Sequence, residues 1–295
     1  MPSRRHFITT TLGGAFASLT SAQEAKLSYK GENIQFGLVT YMWGADLDLP
    51  TLISTLEKAE ILGVELRVDH AHGVGPKLSP AGRAEVRKRF EASPVKAIGL
   101  GTNFEFHSAD PAEVKKNIQG AMEYIKLGHD IGTSGVKVKP NALPKEVEKA
   151  KTLDQIAKSL AELGDYALGF GQEIRLEVHG GVTDLGDIAT IMKTAARDNV
   201  RVCWNSNNVD QEGDGIEANF AKVKDYLGHT THIRGAKVPG YPWDKLAKLL
   251  VEADYEGWVL LEAGGKRPDG DPATVLAEQK TAFIDLVKKA RAQAA

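Results

Sequence analysis

Short apolar runs alternate with longer stretches of helical periodicity from Ile34 to the end of the chain. Eight runs have the apolar and β-branched character of buried strands. They are Ile34–Met42, Gly63–Val68, Lys96–Gly101, Gly135–Lys139, Glu173–His179, Val200–Asn205, Thr230–Arg234 and Trp258–Ala263. Between them apolar residues recur every three or four positions, as at Leu49, Leu52 and Leu56, and this spacing predicts amphipathic helices.

Proline and glycine mark the ends of the predicted helices. Ser79, Asp110 and Asp271 each precede a proline, which pairs a capping side chain with proline at the first helical position. Gly63 and Gly132 follow helical patterns, where a left-handed residue would end a helix.

Eight strand–helix units without a linker predict a single (β/α)8 TIM barrel, which we expect to span residues 30–295. An open doubly wound sheet is the alternative. It is disfavoured because the segment after the first strand, Tyr41–Ala45, lacks the glycine-rich loop of a dinucleotide site.

Several predicted strands alternate charged with apolar residues, so one face of each strand is charged. Because the other face must pack on helices, the charged face should line the barrel interior, where charges need partners. We assign the residues early in their strands to a structural ion-pair layer and those late in their strands to function. The early set is Glu65, Arg67, Glu173 and Arg175; the late set is Lys139, Glu177 and His179.

Four consecutive strands end in side chains that can bind a metal. Glu177, Asn205, His232 and Glu262 close strands five to eight. The carboxyl ends of parallel strands meet on one face of a barrel, so these side chains should converge there. Two carboxylates, an amide and an imidazole suit one divalent cation, Mn²⁺ first, with Mg²⁺, Co²⁺ or Zn²⁺ as alternatives. Asn205 is either the fourth ligand or a neighbour facing the substrate.

These strand ends resemble the xylose isomerase-like barrels, specifically the sugar phosphate isomerase/epimerase group that includes ketose 3-epimerases. The resemblance implies one divalent cation and two glutamates that move a proton, and Glu177, His232 and Glu262 match its ligand positions. The family's aspartate on strand six is Asn205 here, and its substrate-binding histidine three residues later is Asn208. The arginine of the epimerases is replaced by Val238, so ketose 3-epimerase specificity does not carry over.

The predicted chemistry is proton abstraction next to a carbonyl, with Glu177 and Glu262 as the acid–base pair and a metal-stabilised enediolate. We expect a sugar isomerase or epimerase for a non-phosphorylated sugar or keto-sugar. One alternative is a lyase that eliminates the aglycone from 3-keto-glycosides. Another is a non-catalytic sugar-binding barrel. Side chains expected to contact a carbohydrate are His70, His72, Glu105, His107, Lys139, His179, Asn208 and Arg234.

The first residues resemble an export signal. Arg4 and Arg5 precede a mild apolar run and small residues, which predicts a twin-arginine signal peptide over residues 1–22 and a periplasmic or otherwise exported protein. The net charge of −2 gives no reason to expect nucleic acid or a membrane as partner of the mature chain. A homo-oligomer remains open. The single cysteine, Cys203, permits no internal disulfide and should be buried.

Overall fold

The computed structural model describes residues 29–294, in which eight strands alternate with eight α-helices. The signal peptide predicted for residues 1–22 lies outside this range. The strands are β1 Gln35–Val39, β2 Gly63–Arg67, β3 Lys96–Glu105, β4 Gly135–Lys139, β5 Glu173–Glu177, β6 Val200–Cys203, β7 Thr230–Ile233 and β8 Trp258–Leu261. The helices are α1 Leu49–Lys58, α2 Pro80–Glu91, α3 Pro111–Ile131, α4 Lys149–Leu168, α5 Leu185–Ala195, α6 Gly215–Val223, α7 Trp243–Glu252 and α8 Pro272–Ala294.

All neighbouring strands run parallel, in the order β6-β5-β4-β3-β2-β1-β8-β7. Two isolated bridges, Val202–Leu227 and Asn205–His232, join the β6 and β7 sides. The His232 amide also donates to the Trp204 carbonyl over 2.7 Å. This arrangement confirms the predicted single-domain (β/α)8 barrel, and two of the proposed ligand residues, Asn205 and His232, form one of the bridges between the β6 and β7 sides.

The helix starts follow the predicted chemistry. Ser79 and Asp110 accept hydrogen bonds from the first turns of α2 and α3, and Asp271 does so for α8. Gly132 ends α3 with a positive φ, as expected. The expectation for Gly63 was wrong: it begins β2, and Glu60 is the left-handed residue after α1.

Glycines on the strands make room for large side chains in the barrel. A Cβ at Gly63 would lie 2.3 Å from the Trp258 ring, and one at Gly99 would lie 2.7 Å from Arg175 Nη1. Most buried apolar residues form one cluster, whereas Val39, Ile98, Trp258 and Leu260 form a separate small one. No helix among the described residues is both long enough and apolar enough to cross a membrane.

Candidate metal centre and pocket

The four predicted ligand residues lie together at the carboxyl-terminal end of the barrel. Glu177 is the last residue of β5, Asn205 lies two residues beyond β6, Glu262 follows β8 directly, and His232 lies within β7. One ligand atom each from Glu177, His232 and Glu262 lies within 4.8 Å of the others. Glu177 and His232 are buried, whereas 14% of the Glu262 side chain is exposed.

The spacing around His232 fits a shared cation. His232 Nδ1 lies 3.6 Å from Glu177 Oε1 and 3.5 Å from Glu262 Oε2, and neither ring nitrogen makes a hydrogen bond. Ligands held roughly 2.1 Å from one divalent ion are about 3.0–3.4 Å apart, so only small adjustments are needed. A buried imidazole without hydrogen bonds requires an explanation, and a cation between these three groups provides one.

Glu65 lies on the other side of the same imidazole. Its Oε1 is 3.4 Å from His232 Nε2, and both of its oxygens are buried without a hydrogen bond. A carboxylate behind a histidine ligand is the usual means of orienting the ring and strengthening it as a ligand. Glu65, which the strand pattern assigns to a structural ion-pair layer, therefore contacts the candidate metal centre.

Asn205 covers the deeper carboxylate. Its amide nitrogen donates to Glu177 Oε1 over 2.8 Å and lies 3.5 Å from Glu262 Oε2. In this orientation Asn205 is a neighbour of the triad, because a metal would need the amide oxygen. Turning the amide over would exchange the two atoms.

Lys137 balances the charge of Glu177. Its ammonium lies 2.7 Å from Glu177 Oε2, and both side chains are essentially inaccessible to solvent. Burial favours the neutral acid, but Lys137 and His232 outweigh it and hold the pKa of Glu177 well below its usual range. Glu177 is therefore ionised at neutral pH.

The surrounding charges also act on His232. Burial favours the neutral imidazole, but the carboxylates of Glu65 and Glu262 oppose it, and the pKa of His232 is raised well above its usual value. A field that favours an imidazolium here also favours a divalent cation. Cys203 is buried, as expected from its strand position.

The centre opens into a pocket of about 520 Å³. Its walls carry both acidic and basic side chains. Glu262 is acidic, and Arg67, Lys139 and Arg234 are positively charged. The lining residues are Tyr41, Arg67, Lys139, His179, Gly180, Asn205, Ser206, Asn207, Asn208, Arg234, Glu262 and Gly264. Glu177 is not among them because Asn205 lies over it.

Four of the eight residues predicted to bind substrate line this pocket: Lys139, His179, Asn208 and Arg234. His179 Nδ1 donates to Asn141 Oδ1 over 2.8 Å, and burial lowers the pKa of its imidazole. The neutral ring thus keeps Nε2 as a hydrogen-bond acceptor for a ligand hydroxyl.

The other four predicted residues lie elsewhere. His70 lines a neighbouring cavity of about 330 Å³ and lies 3.3 Å from Thr40 Oγ1. His72 is buried and supports the loop, since Val74 N donates to its Nδ1 and its Nε2 donates to the Arg67 carbonyl. Glu105 and His107, at and after the end of β3, do not line the main pocket.

Comparison with known proteins agrees with this architecture. A sequence profile for the xylose isomerase-like TIM barrel matches residues 53–285. A search of curated protein sequences gave no match. Among solved structures, an L-ribulose 3-epimerase superposes with a TM-score of 0.74 at 17% identity, covering 88% of this chain and 97% of its own.

Two further structures share the fold. The IolI protein with a bound zinc atom gives a TM-score of 0.72 at 18% identity, covering 86% of this chain and 98% of its own. The 3-keto-D-glucoside 4-epimerase YcjR from E. coli gives 0.69 at 15% identity, covering 86% of this chain and 99% of its own. Since the profile matches most of the sequence, the chain belongs to the xylose isomerase-like TIM barrel family.

Proposed function

We propose that this protein is a metal-dependent sugar isomerase or epimerase that moves a proton next to the carbonyl of a non-phosphorylated sugar or keto-sugar. The observation that carries the proposal is the pair Glu177 and Glu262, which flank His232 beside a polar pocket that Glu262 lines. A binding module has no need for two carboxylates held beside one buried imidazole.

The ligand set supports a divalent cation held by Glu177, His232 and Glu262, with Asn205 as fourth ligand or neighbour. Mn²⁺ is our first choice because oxygen ligands dominate, and the zinc in the IolI structure makes Zn²⁺ the main alternative. When bound, the cation would polarise the sugar carbonyl and make the adjacent carbon more acidic.

The two glutamates then have different positions for proton transfer. Glu262 lines the pocket, so its carboxylate can take the proton from the carbon next to the carbonyl. Glu177 is kept ionised by Lys137 and lies beneath Asn205, so it reaches a ligand only after the Asn205 side chain moves aside. Return of the proton to the same carbon gives epimerisation, and return to the former carbonyl carbon gives isomerisation.

Two structural relatives support a sugar substrate. One is named as an L-ribulose 3-epimerase and another as a 3-keto-D-glucoside 4-epimerase. The second relative also supports a 3-keto-glycoside as an alternative substrate. If deprotonation of such a substrate led to loss of the aglycone, the protein would be a lyase.

Solvent-deuterium exchange tests the proposal. The Mn²⁺-loaded protein is incubated in D₂O with ketoses, aldoses and 3-keto-glucosides, and the sugars are analysed by NMR. We expect deuterium at the carbon next to the carbonyl, and released aglycone would identify the lyase. Sugars that bind without exchange, with any of the four cations, would contradict an enzymatic role.

We also propose that Arg4 and Arg5 direct export through the twin-arginine pathway. Non-phosphorylated sugars are the substrates expected outside the cytoplasm. Replacing both arginines by lysine should leave the chain in the cytoplasm and uncleaved. Normal export of this variant would contradict the assignment.

A further inference from the structure

Three cationic side chains around the pocket have no acidic partner. Arg67, Lys139 and Arg234 line it, and none forms an ion pair with a carboxylate of the described residues. Arg67 and Arg234 each donate one hydrogen bond to an amide oxygen, of Asn103 and Asn208 respectively. The Lys139 ammonium makes no hydrogen bond within the described chain.

Most arginines outside the pocket have an acidic partner. Six of them form ion pairs with aspartate or glutamate: Arg83, Arg87, Arg89, Arg175, Arg197 and Arg267. Arg67 and Arg234 therefore differ from most arginines of the described residues. Half-buried cations without counter-charges are costly to hold together, and a bound anion removes that cost.

The side chains that line the pocket carry a net positive charge even before any metal ion is bound. Glu262 is its one lining carboxylate among the described residues, against the three cations. Glu177, below Asn205, is neutralised by Lys137 over 2.7 Å. A positively charged concavity raises the local concentration of anionic ligands and selects them over neutral ones.

Arg67 and Lys139 lie at the ends of β2 and β4, the two neighbours of β3, whereas Arg234 follows β7. The Arg67 guanidinium lies over the Tyr41 ring, 4.9 Å from its centroid, and its hydrogen bond to Asn103 fixes its position. The Arg67 and Lys139 side chains line the same pocket. Burial, and then repulsion by Lys137 and Arg67, lower the pKa of Lys139, whereas Glu177 and Glu262 raise it. A planar guanidinium held in place in the same pocket as an ammonium suits an anionic oxygen group.

We infer that the sugar handled at this site carries an anionic oxygen group, a carboxylate or a phosphate, which binds to Arg67 and Lys139. The inference rests on the proposed function for the sugar itself, and the anion contact comes from the pocket. A carboxylate is the group expected of an exported, non-phosphorylated substrate, which makes oxidised sugars the substrate class.

Calorimetric titration of the full chain, loaded with Mn²⁺, tests the inference with three ligands that differ only at the terminal carbon: D-fructuronate, D-fructose 6-phosphate and D-fructose. We expect D-fructuronate to bind at least about tenfold more tightly than D-fructose. The Arg67→Gln and Lys139→Gln variants should each reduce that preference by about tenfold. Lys266→Gln is the matched control, because Lys266 is exposed on the loop after β8 and pairs with Asp269.

The outcomes separate clearly. A stronger preference for the phosphate, lost in the same two variants, supports the anion contact, identifies phosphate as the group and contradicts the non-phosphorylated substrate of the proposed function. Equal binding of all three ligands, no binding at millimolar concentrations, or a preference unchanged in both variants would overturn the inference. Circular dichroism of both variants checks folding, and Lys139→Gln suffices if Arg67→Gln unfolds. Because binding needs no turnover, a failed deuterium-exchange experiment would leave this result standing.

Discussion

Both ends of the barrel carry buried charged side chains on their strands, and the two ends differ in how well these side chains are hydrogen-bonded. Strand β5 contributes to both ends. At its amino-terminal end, Arg175 donates to Glu173 Oε1, the Ile98 carbonyl and Ser134 Oγ over 2.7–2.9 Å. Glu173 also accepts from the His229 amide. Every nitrogen of this buried guanidinium has a partner, as expected of a charge that serves stability.

At the carboxyl-terminal end of the barrel, buried polar groups are close together but incompletely satisfied. His232 makes no hydrogen bond with either ring nitrogen, and Glu65 accepts none with either oxygen. Such groups reduce stability, so their retention indicates that this end is organised for a ligand and the other end for folding. Residues of the first end should therefore affect unfolding, and residues of the second should affect binding and turnover.

Removing the proton acceptors should have the largest effect. Glu262→Gln keeps the shape of the side chain but cannot take a proton, so turnover should fall by about 10²–10⁴-fold. The measurement is the rate of solvent-deuterium incorporation. Glu177→Gln should lower the rate by a similar factor and also destabilise the fold by about 3 kcal/mol, because it leaves buried Lys137 unpaired.

Glu146→Gln is the control for both variants, since Glu146 is exposed on the loop after β4. It should leave turnover and the melting temperature unchanged. Near-full turnover by both Glu177→Gln and Glu262→Gln would show that the acid–base assignment is wrong.

The opposite end offers the complementary change. Arg175→Met removes the guanidinium and leaves Glu173, Ser134 and the Ile98 carbonyl without their partner. We expect the free energy of unfolding to fall by about 3 kcal/mol in urea titrations, with Mn²⁺ affinity unchanged in the folded protein.

Arg201→Met provides a matched control for Arg175→Met. Arg201 is the register partner of Arg175 on β6 and forms no ion pair among the described residues. Its replacement should cost much less. A loss of Mn²⁺ affinity in Arg175→Met equal to that in His232→Ala would break the division between the two ends.

The sequence predicted the architecture and the location of the candidate metal centre because both depend on local patterns. Alternation within each run identified the strands, and parallel strands bring Glu177, Asn205, His232 and Glu262 to one face whatever the details of packing. The prediction that Arg67 belongs to a structural ion-pair layer was wrong for a local reason. β2 ends at Arg67, so this residue lies at the carboxyl-terminal end of the barrel and lines the pocket.

Other features depend on relations between distant strands. The register shift between β2 and β3 after Val64, and the reach of Glu65 to His232, follow from sheet geometry that no single segment contains. The same is true of Lys137 and Glu177, which are on neighbouring strands but not at paired positions. His72 shows the limit of residue type, because it supports the loop backbone instead of lining the pocket.

The next prediction concerns the pH dependence of stability that Asp210 should cause. Asp210, beyond β6, accepts from Tyr241 Oη over 2.6 Å, while its Oδ1 is buried without a partner. Burial raises the pKa of Asp210 from 3.8 to about 7. The folded protein therefore holds a proton that the unfolded chain releases, and this group makes stability fall as pH rises from about 4 to 7.

Asp210→Asn removes this titration while keeping an acceptor for Tyr241. Urea unfolding at pH 4.5 and pH 8 measures the free energy of unfolding of both proteins. Relative to the wild type, the free energy of unfolding of the variant should be higher by roughly 2–4 kcal/mol at pH 8 than at pH 4.5. Asp214→Asn, on the same loop, is the control. A constant difference between Asp210→Asn and wild type at both pH values would contradict the raised pKa.

The smallest expected effect concerns the amide at the centre. Asn205→Asp adds a negative charge next to Glu177 and Glu262, so Mn²⁺ affinity should rise by about tenfold. The gain is limited because a further buried carboxylate repels its neighbours, and the metal-free variant should therefore melt at a lower temperature. Calorimetric titration with Mn²⁺ and melting with and without the ion measure both consequences.

Asn208→Asp adds the same charge at the pocket rim, where Arg234 already donates to the side chain. It should change Mn²⁺ affinity much less than Asn205→Asp does. If Asn205→Asp left the affinity unchanged or weakened it, the cation could not lie between Glu177, His232 and Glu262. The unsatisfied groups at this end would then require an explanation other than a metal.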